Sequence, residues 1–178
     1  MIVAADTSVK PHMKNFSIRE MAAEDWQAMR AIYAEGIATG QATFETKVAA
    51  WEIWDTAHLS WARLVAHGTG LILGWAALSP VSKRRAYAGV AEVSVYVAGS
   101  SRGQGIGHAL LESLVGESEK HGIWTLQAVV ISENVATIAL HKRCGFREVG
   151  RRERISKLNG AWRDTILLER RSREIGTD

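Results

Sequence analysis

Three glycines within five residues, Gly103, Gly105 and Gly107, stand between a strand and a helix. Ala91 to Ala98 reads as the strand. Ala98-Gly99-Ser100-Ser101 and Arg102-Gly103-Gln104-Gly105-Ile106-Gly107 follow it. Ile106, Leu110 and Leu114 then recur on one side of a helix over 103–121, with Gly122 where a left-handed cap would sit. Such a turn presents free N–H groups and the positive end of a helix dipole, and glycine lets an anion approach the backbone closely. The expected ligand is a phosphate. Spacing excludes two common nucleotide loops. A dinucleotide fingerprint counted from Gly103 needs glycine where His108 stands, and counted from Gly105 it meets Leu110. A P-loop needs a Gly-Lys pair that does not occur.

The rest of the chain supplies a single packed domain. Among 178 residues, 47% are apolar and 23% charged, with 16 Gly and 2 Pro, which is neither a collagenous nor a disordered composition. The 22 Lys and Arg against 19 Asp and Glu leave a charge of +3, too small alone to point to nucleic acid. No apolar run approaches the ~20 residues of a membrane helix. The one cysteine, Cys144, forms no internal disulfide and no thiolate metal cluster. The first residues lack a secretory pattern. These features predict a cytoplasmic globular protein without a metal.

Residues 1–15 are unpatterned and read as a flexible leader. A strand is expected over Phe16–Met21. A helix opens at the acidic Ala23-Glu24-Asp25 and carries Trp26, Met29, Ile32, Tyr33 and Ile37 at helical spacing. A loop over Gln41–Thr46 holds Phe44. A second helix is expected over Val48–Leu59, with Trp51 and Trp54. Strands over Trp61–Ala66 and Leu71–Leu78 flank a hairpin-like break, and a basic loop runs from Ser79-Pro80 through Arg85 and Tyr87. Thr125–Ile131 is a nearly unbroken apolar strand, and Glu133–Cys144 a helix. Arg147–Lys157 and Trp162–Glu169 alternate about Asn159-Gly160, a hairpin turn. Residues 171–178 form a basic tail expected in solvent. The spacing predicts one α/β domain over 16–170 around a mixed sheet.

Arg102-x-x-Gly105-x-Gly107 resembles the pyrophosphate loop of the GNAT acyl-CoA-dependent N-acetyltransferases. Glu133-Asn134-Val135-Ala136-Thr137 with Leu140-His141-Lys142-Arg143-Cys144-Gly145-Phe146 resembles the second coenzyme A motif of that superfamily, one strand later. Glu92-Val93-Ser94-Val95-Tyr96-Val97, His141 and Asn159-Gly160-Ala161-Trp162-Arg163-Asp164 look like its phosphinothricin and methionine sulfoximine acetyltransferase branch. The likeness spans most of the chain, Phe16 to Glu169. It implies the GNAT fold, acetyl-CoA as co-substrate, direct transfer of acetyl to the α-amine of a small amino acid or analogue, and a homodimer.

The resemblance also implies roles. The N–H groups of Gly103, Gln104, Gly105, Ile106, Gly107 and His108 would hold the pyrophosphate, with Arg102 adding a charge-assisted contact. The pantetheine would pair with the backbone at Val95, Tyr96 and Val97, where an N–H also meets the thioester oxygen. Asn134 either bonds the pantetheine or caps a helix, and Arg143 either reaches the coenzyme or lies in solvent. Glu92 is the candidate base, directly or through water. His141 stands where many relatives carry a thiolate-protonating tyrosine and could be base, acid or relay, with Tyr96 an alternative donor. Arg84, Arg85, Tyr87 and Glu92 would meet an acidic amino-acid substrate, and Phe44 would wall its side chain. Two alternatives remain: an acetyltransferase for another amine, such as a polyamine, an aminoglycoside or a peptide N-terminus, and a non-catalytic acyl-CoA sensor. A nucleic-acid module lacks support, because basic residues are dispersed and not interleaved with aromatics.

Overall fold

Alternating burial along the strands gives one sheet two covered faces. The computed structural model describes residues 15–177, so nearly all of the expected leader lies outside the described residues. The order is β1 (Ser17–Glu20), α1 (Trp26–Ala38), α2 (Trp51–Ala57), β2 (Leu64–Gly68), β3 (Leu71–Pro80), β4 (Val90–Val97), α3 (Ile106–Lys120), β5 (Thr125–Ile131), α4 (Val135–Arg143), β6 (Arg147–Leu158) and β7 (Ala161–Arg171). The sheet runs β1-β2-β3-β4-β5-β7-β6. Among the described residues, only β4 and β5 pair in parallel. This is the single-domain α/β fold expected of a GNAT-like chain.

Period-two alternation divides the core. Val65, Trp75 and Ala77 meet Met29 and Ile32 of α1 and Trp54 of α2 on one face. Leu64, Ala66, Ala76 and Leu78 meet Ile106, Leu110, Leu111 and Leu114 of α3 on the other. Gly74 admits α3: a Cβ there would lie 3.1 Å from Leu110 and 2.8 Å from the Tyr96 carbonyl oxygen.

Several element ends differ from those the periodicity predicts, for tertiary reasons. α2 is shorter than Val48–Leu59. The Arg63 guanidinium takes the Asp55 and His58 carbonyls at its C-terminus, and Leu59 N–H bonds Leu78 O on β3. β2 begins at Leu64 and not Trp61, because Ala62 adopts φ 53° while Trp61 stacks on His121 at 4.0 Å. α3 begins at Ile106, after two left-handed glycines.

The chain end is docked where a solvated tail was expected. β7 continues to Arg171, and Ser172 is buried. Glu119 on α3 receives Arg170 Nη1 at 3.0 Å and Ser172 Oγ at 2.8 Å. Burial pushes its carboxyl pKa up, but these two donors outweigh it and hold the group below the usual carboxylate range. Glu119→Ala is therefore expected to cost about 1–3 kcal/mol, read as a lower urea midpoint at unchanged m-value.

Candidate active site

The site begins where two strands part. β4 and β5 pair only at Val90–Thr125, Ala91–Leu126 and Glu92–Gln127. Past Glu92 they diverge, although β4 continues to Val97 and β5 to Ile131. Ala98 N–H bonds Leu73 O on β3 at 2.9 Å. Backbone groups alternate sides along a strand, so those of Tyr96 turn to β3 and those of Val93, Val95 and Val97 turn into the gap. A parallel pair that opens in this way leaves one strand edge free for an extended, amide-bearing ligand.

The gap widens into a cleft of about 790 Å³. Val95, Tyr96 and Val97 form one wall. The glycine turn and the start of α3 close one end. Asn134, Thr137, Leu140 and Arg143, around and along α4, form the opposite wall, and Gly36 of α1 with Thr39, Gln41 and Ala42 just after it complete it.

Local geometry explains the glycines. Gly103 and Gly105 have φ of +75° and +81°, the left-handed region in which a Cβ is penalised. Gly107 instead permits packing, since a Cβ there would lie 3.2 Å from Leu140 of α4. No side chain caps α3 at Gly105. Among the described residues, nothing accepts the backbone N–H groups from Gly103 through His108. Six successive free donors at a helix N-terminus fit a diphosphate. Arg102, His108 and Arg143 bring positive or protonatable side chains to the cleft lining, and Arg102 Nε donates to Val97 O at 3.4 Å. Gln104 is not among the residues lining the cleft, and its side chain bonds Ser100 O at 3.3 Å.

Asn134 serves in two ways. Its Oδ1 caps α4 by accepting Thr137 N–H at 3.2 Å, and its Nδ2 donates to Gln41 O at 3.2 Å across the cleft. Arg143 is exposed at the rim.

Tyr96 lies in an aromatic stack. Its ring stacks on Trp75 at 4.7 Å and meets Tyr33 edge-on at 4.8 Å. It fits because residue 36 lacks a side chain: a Cβ on Gly36 would be 2.8 Å from the Tyr96 ring. Burial first, and the neighbouring Tyr33 next, raise the Tyr96 phenol pKa far above its ordinary value, so the phenol stays protonated.

Glu92 marks the apex of the divergence. It is half-buried, beside Ser79 on β3 and Gln127 on β5, and Gln127 Nε2 donates to its Oε2 at 2.8 Å. It is not part of the cleft wall, which starts three residues further along β4 at Val95. Arg84, Arg85 and Tyr87 are exposed on the loop that enters β4 at Val90, near the Glu92 end of the strand and outside the cleft wall. The Arg84 guanidinium lies 5.8 Å from the Tyr87 ring. Phe44 is half-buried on the loop after α1, also outside the wall.

His141 is not among the residues lining the cleft. It is 3% exposed, edge-on to Phe146. Nδ1 lies 2.8 Å from Thr137 O and must donate, since a carbonyl can only accept. Nε2 is then a buried acceptor without a partner among the described residues. Burial lowers its pKa, as it does that of His58. Unfolding lets these rings bind protons that the folded protein refuses. Their contribution to stability is complete above about pH 6.5 and is lost as pH falls below that value. His141→Asn keeps a donor for Thr137 O and should narrow the drop in melting temperature between about pH 7.5 and about pH 5.5. Cys144 is no nucleophile: burial raises its thiol pKa to about 11.

Gly36, Thr39, Gln41 and Ala42 were not legible as site residues. Their one sequence signal was an isolated glycine within a helical repeat, which points to close packing. Among the described residues, no group of three or more His, Cys, Asp or Glu is placed to hold a metal, and no helix is long and apolar enough to cross a membrane.

Known proteins are similar to this chain in sequence and in fold. The Acetyltransferase (GNAT) domain family matches residues 18–167. A phosphinothricin N-acetyltransferase of Alcaligenes faecalis is 34% identical over 162 residues, covering 86% of this chain and 81% of that protein. An L-methionine sulfoximine/L-methionine sulfone acetyltransferase of Pseudomonas aeruginosa is 32% identical over 159 residues, covering 86% and 92%. The crystal structure of a GNAT superfamily phosphinothricin acetyltransferase from Sinorhizobium meliloti in complex with AcCoA superposes with a TM-score of 0.84 at 29% identity, covering 92% of each chain.

Proposed function

The chain belongs to the GNAT acetyltransferases, enzymes that use acetyl-CoA, and on that premise we propose that its acceptor is the α-amine of a small amino acid or analogue such as methionine sulfone, methionine sulfoximine or phosphinothricin. One observation carries this reading. The divergence of β4 from β5 starts at a carboxylate, Glu92, and opens onto six free amide donors at the glycine turn. Anion-holding and proton-accepting groups therefore lie at opposite ends of a single strand edge.

Acetyl-CoA supplies a thioester whose carbonyl carbon an amine lone pair attacks, with the C–S bond breaking and sulfur leaving as thiolate. The amides from Gly103 to His108 hold the diphosphate, and the Arg102 and Arg143 guanidiniums add charge. The gap-facing N–H groups at Val95 and Val97 pair the pantetheine and donate to the carbonyl oxygen as charge develops there. Asn134 Nδ2 is available to the pantetheine once it leaves Gln41 O. An α-amine has a pKa near 7.7–8.0, so much of it is protonated at neutral pH and a base is required. Glu92 accepts that proton, directly or through water. The Tyr96 phenol, which keeps its proton beside the gap, offers the departing sulfur a hydrogen bond, and the proton that the acylated nitrogen sheds neutralises the thiolate. His141 supports α4 through Thr137 instead of meeting the reactants. Arg84, Arg85 and Tyr87 offer the acidic substrate a two-pronged cation and a hydroxyl.

A free-thiol assay with acetyl-CoA over amino acids, these analogues and spermidine tests the assignment. Turnover is expected on at least one sulfone, sulfoximine or phosphinate substrate. Turnover on spermidine above all of them would replace the acceptor class, a result that Lys83, Arg84 and Arg85 oppose because polycations favour acidic walls. The assembly belongs to the same proposal: light scattering should give twice the 19.5 kDa chain mass.

A further inference from the structure

We propose that Gln127 is the positioning residue that orients the Glu92 carboxylate and keeps it ready to accept a proton. The proposal rests on the reading of Glu92 as the base.

The pair occupies a singular place in the sheet. Glu92 and Gln127 are the last residues at which β4 and β5 remain in register, so their side chains lie next to each other on one face just before the strands part. Gln127 Nε2 donates to Glu92 Oε2 at 2.8 Å. The amide cannot be turned the other way, because a carboxylate only accepts. One carboxylate oxygen is thereby tied to the sheet, while no side-chain donor among the described residues takes Oε1. An amide donor bonded to one carboxylate oxygen restricts the rotation of the group.

The neighbouring charges leave this arrangement undisturbed. On β3 the residue facing Glu92 is Ser79, which is neutral. Beside Gln127 on β7 stands Glu169, a second carboxylate able to compete for the same amide. Arg147 on β6 pairs with Glu169 and satisfies it. The remaining charges nearby in sequence are the exposed Lys83, Arg84 and Arg85, in the loop preceding β4. A row of polar side chains thus crosses the sheet from Ser79 to Arg147, with the amide of Gln127 committed to Glu92.

Gln127→Leu, of similar size, and Gln127→Glu test the inference. With acetyl-CoA and the best substrate from the panel, Gln127→Leu should lower kcat roughly tenfold at unchanged acetyl-CoA affinity. The KM for the amine should change little, so that the loss falls on kcat. Gln127→Glu, which replaces the amide donor with a second acceptor, should lower kcat at least as far. A direct readout needs no substrate: the 13C resonance of the Glu92 carboxyl carbon, assigned by its disappearance in Glu92→Gln, should shift at fixed pH in Gln127→Leu as the hydrogen bond is lost. Wild-type kinetics and an unmoved carboxyl resonance in Gln127→Leu would overturn the proposal. So would a loss accompanied by weaker acetyl-CoA binding or a lower melting temperature, the pattern of a merely structural residue. Unchanged turnover in Glu92→Gln would instead remove the base assignment on which the proposal stands.

Discussion

Glu92→Gln is expected to lower kcat by roughly 10²- to 10⁴-fold, the usual contribution of a positioned general base, and to leave acetyl-CoA affinity intact. The two effects separate because Glu92 sits at the apex of the divergence, and the cleft wall proposed to receive the coenzyme begins only at Val95. Glutamine keeps the volume and a carbonyl acceptor but takes no proton. The amine must then lose its proton to water. Steady-state kinetics at saturating acetyl-CoA give kcat, and calorimetry with the coenzyme gives the affinity. A rate kept within threefold of wild type, roughly the effect of a lost neutral contact, would exclude Glu92 as the base.

Gly105→Val should weaken acetyl-CoA binding by roughly 30- to 150-fold or more, about 2–3 kcal/mol. Gly105 holds φ at +81° immediately before α3, where a β-branched residue is strongly disfavoured. Valine would relax the turn toward negative φ and rotate the N–H groups away from their common focus. It would also place two methyl groups beside the anion. Gly70→Val supplies the control. Gly70 has φ of +80° in the turn between β2 and β3, and like Gly105 it has nothing within 4 Å of a built Cβ. Both variants should lose comparable thermal stability, but only Gly105→Val should lose the coenzyme. Equal retention of binding in the two would show that the glycine turn is not the diphosphate cradle.

The prominence of those glycines explains why this half of the site was readable in advance. A left-handed φ is a property of one residue, and glycine announces it wherever it stands. β5 was likewise legible to its ends, because Gly122 and the apolar run over Thr125–Ile131 bound it locally. α2 was not. Its C-terminus is set by Arg63, which reaches back to carbonyls that no helical periodicity marks. The part of the cleft wall formed by Gly36, Thr39, Gln41 and Ala42 was hidden for a similar reason. Asn134 meets Gln41 O across 93 residues of chain, and Tyr96 finds its place only because Gly36 of α1 passes beside its ring. His141 shows the same limit from the other side. Its position in the motif suggests contact with the reactants, whereas the folded chain packs it on Phe146 with Nδ1 spent on Thr137.

From sequence alone, the strand-turn-helix that offers free amides was determined, together with the second motif and the order of elements around a mixed sheet. Each follows from backbone preference or periodicity, which act over a few residues. The tertiary structure alone decided where β4 leaves β5, which carboxylate stands at that point, and which amide holds it. Those facts depend on register between strands 35 residues apart and on the twist that separates them, and no local propensity records either.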